Sequence, residues 1–137
     1  MYPEHITKPC EEQLTQAGFT ALKTSEAVTE VLSQQEGTTL LVINSVCGCA
    51  AANARPAALA SIQHAKHPKN LVTVFAGVDS DAVAKAREFT FPFPPSSPSI
   101  GLFKDGKLVH FIERHMIEGR PVKMIADNLV AAYEAYC

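Results

Sequence analysis

Two runs in this chain, Thr38 to Val46 (TTLLVINSV) and Leu71 to Val78 (LVTVFAGV), are apolar or β-branched at nearly every position rather than at alternate ones. A strand with one wet face alternates polar and apolar residues. A run that does not alternate needs cover on both faces, as the strands of a parallel sheet have. Between the two lies Ala50 to Ala65, alanine-rich and helical in pattern, with Ala57, Ala58, Ala60 and Ile62 available to face a sheet. Strands alternating with helices require a mostly parallel sheet with helices on both sides.

The flanking segments extend this plan. Cys10, Leu14 and Ala17 recur at helical spacing from about Pro9 and stop at Gly18, and Phe19 to Leu22 reads as a short strand. Thr24 or Ser25 caps a helix that places Ala27, Val28, Val31 and Leu32 on one face and ends at Gly37. Asp79 or Ser80 caps another, running to about Phe89. Phe91 to Ser99 (FPFPPSSPS) holds four of the nine prolines, too many for regular structure. Ile100 to Phe103 and Leu108 to Ile112 flank Lys104-Asp105-Gly106-Lys107, and Asp-Gly between apolar runs is a hairpin signal. Pro121 opens a last helix with Val122, Ile125, Leu129, Ala132 and Tyr133 on one face. The expected architecture is α/β, a mixed-sheet α/β/α sandwich with an added N-terminal helix, in one domain over residues 1–137.

Composition excludes several classes. The formal charge of −2 lacks the concentrated basic surface that nucleic-acid binding requires. The longest apolar run, Leu40 to Ile43, falls far short of the roughly 20 residues of a membrane span. Met1 to Cys10 carries Glu4, Lys8 and two prolines, which is not the pattern of a secretory signal, so a cytoplasmic location is expected.

The four cysteines are Cys10, Cys47, Cys49 and Cys137, too few and too scattered for a disulfide framework. Chance alone gives an i, i+2 pair about 0.1 times at this content. Cys47-Gly48-Cys49 also stands where a buried strand gives way to a helix. A cysteine there meets unpaired backbone N–H groups and the positive end of the helix dipole, which favour thiolate over thiol. Gly48 lets the backbone bend between the sulfurs and leaves them open to a bulky disulfide. A bridge across one intervening residue closes a tight ring, and ring strain makes a disulfide easily reduced. The pair therefore suits oxidation, shuffling or resolution of mixed disulfides. Cys47, nearer the strand end, is expected to attack first and Cys49 to resolve; the reverse assignment is the alternative.

Other residues join this site by position. Ser97-Pro98-Ser99 precedes a strand, where Pro98 is a candidate cis proline and Ser97 offers backbone to an extended substrate. Arg55 reads either as a charge stabilising a thiolate or substrate carboxylate, or as a solvated helix position. Cys137 reads as a surface bystander on a mobile end, with an extra resolving or intermolecular thiol as the alternative. Cys10 reads as a small buried hydrophobe or an inert surface thiol. His110 and His115 read as surface or strand residues, and Glu113 and Arg114 as an exposed charged pair.

In outline, a strand, a cysteine pair opening a helix, a strand, a helix, a proline before a strand and a Gly-containing hairpin resemble the thioredoxin-like fold, and Pro56 resembles the kinking proline of thioredoxins. The finer resemblance is to the bacilliredoxins, through Glu36-Gly37-Thr38-Thr39, Asn44-Ser45-Val46-Cys47-Gly48-Cys49-Ala50, Ala54-Arg55-Pro56-Ala57, Thr73-Val74-Phe75-Ala76-Gly77, Pro95-Ser96-Ser97-Pro98-Ser99, the segment from His110 to Gly119 and Tyr136-Cys137. The chain departs from ordinary thioredoxins in having no Trp and a Cys-x-Cys in place of Cys-x-x-Cys. This resemblance implies removal of bacillithiol from protein mixed disulfides, with weak disulfide isomerase activity. It implies that Cys47 takes the thiol onto itself; joined to the residue readings above, the expected catalytic residues are Cys47 and Cys49, with Gly48, Ser97 and Pro98 at the substrate and Arg55 and Cys137 as candidate accessories. The partners it implies are S-bacillithiolated client proteins, a low-molecular-weight thiol and a disulfide reductase. It implies no resident cofactor, bacillithiol being a substrate or transient adduct. A rival from another class is soft-metal binding or metallochaperoning by Cys-Gly-Cys, although the histidines lack zinc-type spacing to it.

Overall fold

The computed structural model describes residues 2–137. Helix α1 (Glu4–Thr15) leads into strand β1 (Thr20–Ala21), helix α2 (Ser25–Leu32) and strand β2 (Thr38–Asn44). A π-helical turn (Ala50–Ala54) continues directly into α3 (Arg55–Ser61), followed by β3 (Asn70–Phe75) and α4 (Ser80–Phe89). The hairpin β4 (Ser99–Lys104) and β5 (Lys107–Ile112), a short 3₁₀ turn (Arg114–Met116) and α5 (Val122–Tyr136) complete the chain.

The strands form one sheet in the order β1-β3-β2-β4-β5. β1 and β2 both run parallel to β3, while β4 is antiparallel to β2 and to β5. The sheet is therefore mixed, and β2 is its central strand. β2 is buried from Thr39 to Asn44, and its side chains alternate between two separate cores. Leu40 and Val42 pack with Leu14 of α1, Ala57 and Ala58 of α3, and Ile125, Leu129 and Tyr133 of α5. Leu41 and Ile43 pack with Val28 and Leu32 of α2 and with Ala82, Val83 and Ala86 of α4. The run that does not alternate is thus covered on both faces, as its sequence requires.

Element boundaries differ from the sequence reading for local reasons. α1 begins at Glu4, not near Pro9, because the Pro3 carbonyl accepts from the N–H groups of Ile6 (3.0 Å) and Thr7 (3.2 Å) and so starts the first turn. Pro9 then falls inside the helix. Thr24 caps α2 as expected, its hydroxyl accepting from the Ala27 N–H at 3.1 Å. That helix ends at Leu32 rather than Gly37, since Gly37 belongs to the strand entry: its N–H donates to Asp105 Oδ1 and its carbonyl accepts from the Asp105 N–H, both at 2.9 Å. At φ +99° Gly37 occupies backbone space that other residues avoid. The alanine-rich helix ends at Ser61, where the Ser61 hydroxyl turns back to the Ala58 carbonyl at 2.7 Å. The Asp-Gly hairpin forms as expected, with positive φ at both Asp105 and Gly106. Among the described residues no helix is long and apolar enough to cross a membrane.

Candidate active site

β2 ends at Asn44, and the next residues make the turn that carries the cysteines. The Cys47 carbonyl accepts from the N–H groups of Ala50 (3.1 Å) and Ala51 (3.2 Å), which closes the first helical turn over Gly48 and Cys49. The two sulfurs are 2.7 Å apart and both cysteines are free. Each is partly exposed and Gly48 is exposed, leaving the pair open to solvent.

The environment separates the two thiols. Burial pushes Cys47 up, but the neighbouring Cys49 thiol, Ser45 hydroxyl and Ala50 N–H favour its thiolate, and the Arg114 charge adds to them. Together they hold Cys47 below the ordinary thiol range. Cys49 is raised by burial and by donating to, and lying beside, Cys47; Arg114 opposes this and Glu118 adds to it. An acidic, accessible thiol beside a protonated one is the arrangement of a nucleophile and its resolving partner.

Ser45, to which the sequence reading gives no role of its own, sits at the centre of the turn. Its hydroxyl accepts from the Cys47 N–H at 3.2 Å, and its own N–H donates to Asn44 Oδ1 at 2.8 Å. Beneath it lies Arg55, which is only 3% exposed. Arg55 Nη1 donates to Asn44 Oδ1 (2.9 Å) and the Ser45 carbonyl (2.7 Å), and Nε donates to Gln13 Oε1 (2.7 Å). Of the two sequence readings of Arg55, the solvated helix charge is thus excluded, and its partners are Gln13, Asn44 and Ser45 rather than a thiolate. Its place follows from the π-helical turn, in which the Arg55 N–H bonds to the Ala50 carbonyl five residues back. Pro56 comes next and has no N–H to give, so a regular α-helical ladder is interrupted at this point.

Ser97 and Pro98 come to the same end of the sheet. Ser99 pairs with Ile43, so the two residues before Ser99 run alongside the turn that follows Asn44. The Ser97–Pro98 peptide bond is cis, as expected, and Pro98 is buried while Ser97 is half-buried. The Ser97 carbonyl accepts from Arg114 Nη1 at 3.2 Å, and the Arg114 N–H donates to Ser96 Oγ at 3.4 Å. Arg114 is exposed as expected, but its partner is Glu118 at 3.0 Å, not Glu113. Its positive charge acts on both cysteines. The Arg114 to Glu118 spacing of four was the one sequence signal for this pair; its nearness to the sulfurs arises only from tertiary structure.

The remaining candidate residues lie elsewhere. Cys137 meets the Thr38 side chain, at the start of β2, whereas the cysteine pair follows the end of that strand. At about 3.3 Å per residue, the length of β2 separates them, so the fold does not bring Cys137 to the pair. Cys10 is half-buried in α1; its sulfur lies 3.3 Å from the Ile6 carbonyl, and its own carbonyl accepts from Asn44 Nδ2 at 3.1 Å. His110 bonds Asn128 on α5, away from the cysteines. Among the described residues no three His, Cys, Asp or Glu side chains gather as metal ligands, so the metal-binding rival finds no third donor beside the pair.

Comparison with known proteins agrees with this geometry. The model of the family described as disulphide isomerase matches residues 2–137. A bacilliredoxin of Cytophaga hutchinsonii is 58% identical over 134 residues, covering 98% of each chain. One from Halalkalibacterium halodurans is 52% identical over 136 residues, covering 99% of this chain and 94% of its own. Mitochondrial thioredoxin 3 of Saccharomyces cerevisiae superposes with a TM-score of 0.57 at 18% identity, over 85% of this chain and 96% of that one. Thioredoxin of Aeropyrum pernix gives 0.56 at 18% identity, over 82% and 84%. The fold is that of thioredoxin.

Proposed function

This chain belongs to the disulphide isomerase family and is, like the bacilliredoxins it matches, a thiol–disulfide oxidoreductase; we propose that its particular reaction is the removal of bacillithiol from protein mixed disulfides. The observation that carries the reading is the unequal pair of sulfurs, one held acidic and the other protonated, at 2.7 Å.

In the first step the Cys47 thiolate attacks the bacillithiol sulfur of the client disulfide. A Cys47–bacillithiol disulfide forms, the client S–S bond breaks, and the client sulfur leaves as a thiolate that takes a proton from solvent. In the second step Cys49 gives up its proton and attacks the Cys47 sulfur. The Cys47–Cys49 disulfide forms and bacillithiol leaves as a thiolate. Each step moves one electron pair and needs no metal or resident cofactor. The enzyme ends oxidised by two electrons, so a disulfide reductase or a pool of low-molecular-weight thiol must restore it. A cytoplasmic location fits that need for recycling. Slow resolution from a client disulfide would also permit weak isomerase activity.

Three residues support the substrate assignment. Arg114 places an exposed positive charge beside both sulfurs, suited to the carboxylates of a small anionic thiol. Gly48, exposed and without a side chain, leaves room for a folded client above the pair. Ser97 supplies backbone along the client's extended segment.

The test is exchange kinetics on one client protein carrying bacillithiol, glutathione or cysteine in turn. Faster release of bacillithiol than of the other two supports the reading. Equal rates for all three adducts would leave a general oxidoreductase with no preference for bacillithiol.

A further inference from the structure

Arg55 is a buried cation whose hydrogen-bond partners are all neutral: Gln13 Oε1, Asn44 Oδ1 and the Ser45 carbonyl. Among the described residues it makes no ion pair. Burying a guanidinium away from any carboxylate is costly, and such a group persists where its fixed fork of donors organises something else. What it organises is a single residue. Ser45 is gripped on both sides, through its carbonyl by Arg55 Nη1 and through its N–H by the Asn44 oxygen that Arg55 also holds. The Ser45 hydroxyl is then directed at Cys47, where it accepts from the backbone N–H at 3.2 Å and favours the thiolate. Nε completes the arrangement by tying the same guanidinium to α1, and Asn44 Nδ2 adds a second tie to that helix at the Cys10 carbonyl.

We propose that Arg55 is a positioning residue for the nucleophile, acting through Ser45 by clamping the Asn44–Ser45 backbone so that the Ser45 hydroxyl stays against Cys47. It touches neither sulfur. The proposal rests on Cys47 being the attacking thiol, but not on the identity of the small thiol removed.

The test is the pH dependence of iodoacetamide alkylation at Cys47, followed by site-resolved mass spectrometry on the reduced full-length protein. No bacillithiol is needed, so its outcome is separate from the substrate assignment. Arg55→Met is expected to raise the alkylation midpoint by about one pH unit, equivalent to a tenfold smaller thiolate fraction below both midpoints. Arg55→Lys retains a donor for the Asn44 and Ser45 oxygens but not for Gln13, and is expected to shift the midpoint by less. Ser45→Ala raises the midpoint as well, and adding Arg55→Met to it brings no further rise, because Arg55 acts on Cys47 only through the Ser45 hydroxyl that is already gone. A merely structural role would lower the limiting rate at all pH values and leave the midpoint in place. An unchanged midpoint in folded Arg55→Met overturns the proposal, as do shifts that simply add in the double variant. Should Arg55→Met not fold, Arg55→Lys decides, and a midpoint equal to that of the parent overturns it.

Discussion

On one face of the sheet, α2 and α4 close over Leu41, Ile43, Val72 and Val74 with Val28, Leu32, Ala82, Val83 and Ala86. On the other, α1, α3 and α5 close over Leu40, Val42, Ile100 and Leu102, and with them bury the Arg55 guanidinium and a Tyr133 hydroxyl bonded to Ser61 at 2.8 Å. Burial pushes that phenol up, against the pull of its hydrogen bond to Ser61. β2 shows how the two faces part. Its even positions run Leu40, Val42, Asn44, so the strand that supplies hydrocarbon to the second face also ends there in an amide. Asn44 turns apolar periodicity into a hydrogen-bond network one residue before the reactive turn begins. One face holds the molecule together; the other does that and also sets the chemistry.

This division can be broken or sharpened by substitution. The largest effect belongs to the nucleophile: Cys47→Ser should abolish turnover, measured as release of the small thiol from a mixed disulfide. Cys49→Ser should halt the cycle after one step and accumulate an adduct on Cys47, seen by intact mass with peptide mapping; no adduct there, with one accumulating on Cys49 in Cys47→Ser, would reverse the assignment. With pH, the parent's first step should accelerate up to a midpoint below the ordinary thiol value, since Cys47 is lowered. Resolution should keep accelerating at higher pH, since Cys49 is raised and must lose its proton to attack.

Leu41→Ala, on the α2/α4 face, should cost about 2–5 kcal/mol of stability by denaturant titration. It should leave the Cys47 alkylation midpoint unmoved; a shifted midpoint would mean that the faces are not independent. Arg114→Gln should lower kcat/KM for an anionic small-thiol adduct by roughly fivefold, the scale of an exposed charge contact, and the deficit should shrink as salt is added. The smallest effect is expected from Cys137→Ser. Cys137 follows α5, which covers the polar face, but it lies by Thr38 at the far end of the sheet, so turnover should equal that of the parent.

Most of the frame could be read from residues alone, because it depends on short-range pattern. The runs after Thr38 and Leu71 specify double-sided burial, Thr24 specifies a cap, and Asp105-Gly106 specifies a turn. Cys47 and Cys49 were legible for the same reason, being close in sequence and at a strand–helix junction. What could not be read was anything settled by contacts between distant segments. Ser45 looks like a loop serine until the fold sets Arg55 under it. Arg114 looks like a surface charge until the β4 register brings Ser97 to the cysteines. The burial of Arg55 and its grip on Asn44 and Ser45 are hidden for a subtler reason. A regular helix from Ala50 would have aimed position 55 elsewhere, and nothing in a run of alanines announces a wider turn.

That wider turn makes the chemistry sensitive to counting. Each residue of an α-helix advances its neighbours by about 100° around the axis. The stretch Ala50–Ala54 takes up one residue more than a regular turn would, and so decides which way every later side chain faces. Dropping a single alanine there would scarcely alter composition or helical tendency, yet it would swing the guanidinium about a quarter of a revolution away from its three acceptors. Spacing between Cys49 and Arg55, more than the identity of the alanines between them, is what keeps the guanidinium on its acceptors.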